Sequence, residues 1–170
     1  QITAVPLSGL TISATSSYNN AKYVDYCSAS ALNIVGYVTP GRVGCYVVNG
    51  NYLENVPPLT LSLSTDYRRD IADGWTAFVG GTYRYRSGQW AEDLNYAQSG
   101  AQNLFDLRAG IETDRITLPA FCANCSNDLS PDRATNLADV RLGTTANLNR
   151  TVSSSVKRPR QIGVRTAYRF

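Results

Sequence analysis

The 170-residue chain contains no histidine and no methionine. Without histidine, serine–histidine and aspartate–histidine catalysis are excluded. No apolar run approaches 18 residues, which excludes a membrane-spanning helix. It does not exclude a membrane β-barrel, whose signal per strand is weak. Charge is scarce, at 17% of residues, and acids are missing altogether from residues 141–170, where seven bases stand. Those bases lie on an alternating strand and in the loop before it. A nucleic-acid tail would need a disordered or helical basic cluster, so nucleic acid is not expected as a partner. No signal peptide opens the chain; residues 1–5 read as a strand, and the chain is expected to be cropped or processed from a longer one.

Four cysteines are present: Cys27, Cys45, Cys122 and Cys125. Cys122-Ala-Asn-Cys125 is a lone CxxC. A zinc site needs a second ligand pair at suitable spacing, and Cys27 and Cys45 lie too far apart with no histidine to help. A thioredoxin-like motif would precede a helix, and none follows. Loop disulfides in an oxidising compartment remain, with the connectivity open. Metal and cofactor are both read as none. Carboxylate chemistry has little support, because Asp106 and Glu112 flank Arg108 and ion pairing explains them. The chain is not read as an enzyme.

What the sequence does have is alternation. Leu10, Ile12, Ala14, Ser16 and Tyr18 share one face, as do Leu59, Leu61, Leu63, Thr65 and Tyr67. Residues 75–86, 104–112 and 116–118 continue the pattern, and so do Ile162, Val164, Thr166, Tyr168 and Phe170. Period two is the strand signature. No segment sustains a helical period, so the fold class is all-β and antiparallel. The opposite faces are polar and carry Arg84, Arg86, Asp106, Arg108, Glu112, Arg165 and Arg169.

Connection lengths then discriminate between architectures. Short links at 6–9, 68–74 and near Asp114 alternate with long ones at about 21–56, 88–102 and 123–158, rich in Asn, Gly, Ser and Pro. A sandwich has no reason to alternate in this way; an outer-membrane barrel does, with short periplasmic turns and long outer loops. Strands over 10–20, 58–68, 75–86, 104–113, 115–122 and 160–170 then run out and back consistently, provided that the stretch 139–148 projects into the last loop instead of spanning. Pro119 is a blemish within a short strand. Six strands and a stub at 1–5 fall short of the usual minimum of eight. An open sheet in lipid leaves costly unpaired backbone groups, so the chain is part of a larger barrel or closes with help.

The stretches PLSGLTISATSSYNNAKYVDY, NVPPLTLSLSTDYRRDIADGWTAFVGGTYRYRS, AQNLFDLRAGIETDRITL and RPRQIGVRTAYRF, in that order, resemble the C-terminal part of TonB-dependent outer-membrane receptors. The resemblance implies 6–8 strands of a barrel of about 22 strands, located in the outer membrane of a Gram-negative bacterium. It implies that residues 1–170 form the C-terminal part of that barrel and that the plug lies outside them. It implies uptake of a scarce nutrient such as an iron–siderophore complex. The expected partners are outer-membrane lipid and lipopolysaccharide, the barrel-assembly machinery, the rest of the receptor with its plug, TonB through the plug, and a small-molecule ligand. Cys27 and Cys45 match a loop position where such receptors often carry a disulfide. A Cys27–Cys45 pair is expected on that basis, and Cys122–Cys125 is expected as the second loop disulfide. Pro119 and the Cys122–Cys125 pair depart from the family pattern.

Under this reading the seven polar-face charges line the lumen, since an arginine at mid-bilayer on the lipid face costs about 2–4 kcal/mol. Gly163, Tyr168 and Phe170 resemble the terminal strand that such barrels present for assembly. Lys157, Arg158 and Arg160 fall at the outer rim, where they could meet lipid phosphates. Two alternatives remain at this point: a small standalone outer-membrane barrel with a structural or adhesive role, and a soluble secreted β-sandwich that binds a ligand.

Overall fold

The computed structural model describes residues 1–139 and 149–170. Its main body is one antiparallel sheet. The strands are β1 (Ile2–Leu7), β2 (Leu10–Tyr18), β5 (Leu59–Ala72), β6 (Trp75–Arg86), β7 (Gln102–Glu112), β8 (Ile116–Ala123), β11 (Gln161–Val164) and β12 (Ala167–Tyr168). They lie in the order β1-β2-β5-β6-β7-β8-β11, with β12 also on β8. Every neighbour is the next strand of the sheet in sequence, so this is a simple meander. It does not close: β1 and the β11/β12 line are both edges.

Side-chain alternation sets the register. Leu61 pairs with Tyr85, Leu63 with Tyr83, and Tyr67 with Val79, while Tyr83 also faces Phe105. A one-residue slip would move every one of these onto the polar face. The apolar face stays open: Leu61, Leu63, Trp75, Val79, Phe105 and Leu107 are all exposed. Such a face is uncommon on a chain surrounded by water.

Three short turns close one end. Gly9 (φ 82°) follows Ser8 between β1 and β2, and the would-be Cβ of Gly9 lies 2.1 Å from the Arg68 carbonyl oxygen. Asp73-Gly74 joins β5 to β6, with Gly74 at φ 71°. The sequence reading placed the whole of 68–74 in that link. Instead β5 runs on to Ala72, because Asp-Gly alone makes a two-residue hairpin turn. Thr113–Arg115 joins β7 to β8, and Thr113 Oγ1 accepts from the Ile116 N–H at 3.0 Å.

The last strand differs from the continuous 160–170 expected. It is split at Arg165–Thr166. The registers on either side, Val164 with Ala120 and Ala167 with Thr117, place Arg165 opposite Pro119. The Arg165 N–H donates to the Pro119 carbonyl at 2.9 Å, but Pro119 has no N–H to return. The ladder lapses there and resumes two residues later.

The other end carries the long loops. In the first, β3 (Cys27–Ser28) pairs with β4 (Tyr46–Val47), and α1 (Ala29–Val35) lies between them. This helix was not expected. Seven residues are too few to establish a period, and its marks are at its ends. Ser28 Oγ accepts from the Ala31 N–H at 2.9 Å, and Gly36 closes it in the left-handed region. In the third loop, β9 (Pro131–Asp139) and β10 (Asn149–Val156) form a hairpin. The stretch 139–148, expected to project as a strand, lies almost wholly outside the described residues.

Candidate functional site: the polar face and the loop cap

The polar face is built in rows. One row reads Thr11, Asp66, Gly80, Arg108, Phe121 and Gly163 across six strands. The absent side chain at Gly80 lets Arg108 reach across β6. Its guanidinium bonds Asp66 on β5, and a Cβ at Gly80 would lie 3.1 Å from Arg108 Nε. The next row holds Arg68, Phe78, Gly110 and Pro119. Arg68 pairs with Glu112 and, at 3.3 Å, with Asp66, and it lies over the Phe78 ring at 5.7 Å. Arg84 pairs with Asp106. Two aromatic rings cover glycines on neighbouring strands, Phe78 over Gly110 and Phe121 over Gly163, a packing known to support glycine within sheets.

All seven charges singled out in the sequence therefore fall on one face. Arg84, Asp106, Arg108 and Glu112 belong to the ion-pair network. Arg86, at the far end of β6, turns to the third loop and donates to the Asp132 carbonyl at 2.6 Å. Arg165 lies over the Phe121 ring at 4.7 Å. Arg169 follows on the same side by alternation. Asp66 and Arg68, central to the network, were missed. Arg68 read as the start of the 68–74 turn, and the Asp73-Gly74 dipeptide was the signal that could have extended β5 to include it. Asp66 already stood on the polar side of the strand read over 59–67, so the alternation itself was its signal.

Both disulfides are formed and among the described residues no cysteine is free: Cys27–Cys45 and Cys122–Cys125. Cys122 stands opposite Leu107 and Ile162, hence on the apolar face, at the long-loop end. Asn124 (φ 49°) turns the chain there. Its N–H donates to Asp106 at 2.7 Å, and its side-chain amide donates to the Asp128 and Arg158 carbonyls.

The first two loops, 19–58 and 87–101, share a core of Ala31, Val48 and Leu94 with Tyr23, Ile34, Val35 and Tyr46 around it. Leu94 comes from the second loop. Asn95 and Tyr52 exchange two bonds, N–H to Asn95 Oδ1 at 2.6 Å and Asn95 Nδ2 to the carbonyl at 2.9 Å. Tyr23 stacks on Tyr26 and donates to Glu54. Burial, then the Glu54 carboxylate, pushes the Tyr23 hydroxyl well above the ordinary tyrosine range. Burial likewise raises Asp93; a bond from Ser28 opposes this, and the charges of Glu54 and Glu92 add to it.

Lys157, expected as a free base at the rim, is paired with Asp132. That bond, ahead of the nearby Arg86 charge, holds the Asp132 carboxyl below its usual range. Arg158 and Arg160 are exposed. Tyr168 and Phe170 form an edge-to-face pair at 5.2 Å on the apolar side.

The fold matches two solved structures from Acinetobacter baumannii. One is BauA, the ferric preacinetobactin receptor, at a TM-score of 0.65 and 15% identity, covering 98% of this chain and 20% of that one. The other is the siderophore receptor PiuA, at 0.60 and 17%, covering 96% and 20%. The chain thus spans about a fifth of their length. No curated protein sequence matches it. The family model described as "TonB dependent receptor-like, beta-barrel" matches residues 6–125. An open meander with one apolar face, one ion-paired polar face and long loops at a single end is what one section of such a wall requires, and the chain belongs to the TonB-dependent receptor β-barrel family of the outer membrane.

Proposed function

We propose that residues 1–170 form the C-terminal part of the barrel of a receptor that takes up a scarce nutrient of the iron–siderophore class. The family match over residues 6–125 carries this reading. Arg84, Arg86, Asp106, Arg108, Glu112, Arg165 and Arg169 line the lumen, joined by Asp66 and Arg68. Their ion pairing on the face opposite Leu63, Val79 and Phe105 supports that orientation. The plug and, through it, TonB complete the machine from outside this segment.

Lipid covers the apolar face. Arg158 and Arg160, exposed beside the last long loop, meet the phosphates of lipopolysaccharide, whereas Lys157 serves Asp132. Gly163, Tyr168 and Phe170 present the terminal strand to the assembly machinery. The test is growth of a strain lacking the full receptor, under iron limitation, on a panel of ferric siderophores. Loss of growth on one of them, with binding of that complex by the purified receptor, is expected. Unimpaired growth on every member and no binding would overturn the assignment.

A further inference from the structure

Three long loops leave the sheet, and one buried side chain touches all of them. Gln89, in the second loop, is 3% exposed. Its Nε2 donates to Asn55 Oδ1 of the first loop at 3.3 Å and to the Asp132 carbonyl of the third at 3.5 Å. Its backbone N–H and carbonyl both bond the Ser99 hydroxyl. Two residues at strand ends flank it. Arg86 donates through Nη2 to the carbonyls of Pro131 (3.1 Å) and Asp132 (2.6 Å). Gln102, also 3% exposed, donates to those of Ser130 (3.2 Å) and Pro131 (2.7 Å). The carbonyls of three consecutive residues, Ser130 to Asp132, thus receive side-chain donors from β6, β7 and the loop between them. Lys157 holds the Asp132 carboxylate from the returning side of the hairpin.

The direction of the third loop follows. Arg86 and Gln102 stand opposite each other on the polar face, whereas residues 130–132 emerge from β8, two strands away from β6. The loop therefore doubles back across the end of β7, on the polar side, before β9 begins. Removing Gln102 takes a donor from the Ser130 carbonyl, and removing Gln89 takes one from Asn55 Oδ1. Removing Arg86 takes one of the two donors from each of the half-buried Pro131 and Asp132 carbonyls.

We propose that Arg86, Gln89 and Gln102 form one junction that pins the base of the β9–β10 hairpin over the polar face and couples the three long loops into a single body. A force on one loop is felt in the other two: the first and second also share the core around Leu94, and the third is tied to them through these donors, with Gln89 bonded to both the first loop and the third. This coupling stands on geometry alone and does not depend on the transported ligand.

Hydrogen exchange on the full receptor in detergent tests it. Arg86→Met should speed exchange of residues 132–135 and 152–156 at least about tenfold, equivalent to 1.4 kcal/mol of lost local stability. The same variant should also speed the first-loop amides of Leu53 and Asn55. Gln89→Ala should do both as well. Protection in β5–β7 reports in the same experiment that the wall is intact. If Arg86→Met misfolds, Gln102→Leu removes the Ser130 and Pro131 contacts without touching a charge and carries the same expectation. A hairpin that keeps its wild-type rates, or one that loosens while Leu53 and Asn55 do not change, overturns the proposal.

Discussion

Gly110 sits where a methyl group has nowhere to go. A Cβ there would lie 2.4 Å from the Leu118 carbonyl oxygen and 2.9 Å from Pro119 Cα, both backbone, and 2.8 Å from the Phe78 ring. Gly81 differs: its nearest neighbour, at 3.2 Å, is the end of the Leu107 side chain. Gly110→Ala should therefore destabilise the receptor by about 1–3 kcal/mol, the usual cost of overpacking, while Gly81→Ala is close to neutral. Denaturant midpoints in detergent measure both. Asp93 gives a second expectation. Its folded proton affinity is raised chiefly by burial, so the stability it contributes is full below about 3.8 and is lost as pH rises through the higher folded value. Protection of residues 46–53 should fall from pH 4 towards neutrality, and Asp93→Asn should flatten that profile. The acids at the hairpin base run the other way. Lys157 lowers Asp132; burial alone would raise Asp128, but bonds from the Asn103 N–H and Ser130 outweigh it. Their contribution is present above about 3.8 and is lost on acidification below it. Neither group was legible in the sequence, because burial and partners at such separations belong to the folded loops.

At the scale of elements, the wall was legible and the cap was not. Strands such as 75–86 were readable because each residue answers only to its face, and a face repeats every second residue. The small helix Ala29–Val35, the β9–β10 hairpin and the shared core around Leu94 answer to partners tens of residues away. Pro119 was recognised as a blemish, but its consequence needed the register. Replacing it with alanine restores the N–H that Arg165 lacks. Pro119→Ala should join β11 and β12 into one strand and stabilise the edge by about 0.5–1.5 kcal/mol, the net worth of one bond. A protected amide at 119 in hydrogen exchange would show it. The first-loop lobe offers a contrasting case. Cys27–Cys45 spans a sequence separation of 18, and closing such a loop is worth about 3 kcal/mol in the chain-entropy model. Replacing both cysteines by serine should expose 27–45 to proteolysis and leave β5–β8 intact.

Taken as a whole molecule, the segment is a wall with two raw edges. β1 and the β11/β12 line each present unpaired backbone groups, and in lipid each such group costs several kcal/mol. Expressed alone, residues 1–170 should self-associate in detergent through those edges, whereas the full receptor stays monomeric. Sedimentation distinguishes the two. A monodisperse, closed monomer of the segment would count against its place in a larger barrel. The same edge bears the proposed assembly signal. Removing residues 168–170 from the full receptor should abolish insertion in cells while refolding in vitro largely survives, and normal abundance in the outer membrane would refute the signal.

Both sulfur bridges lie at the long-loop end, and the three tight turns hold none. Cys27–Cys45 closes within the first loop, off the wall, whereas Cys122 is itself a β8 residue, so only the first bridge and the wall concern different parts of the chain. A receptor kept under mild reductant should still pair its strands, and its first-loop bridge should form once a thiol oxidant is supplied.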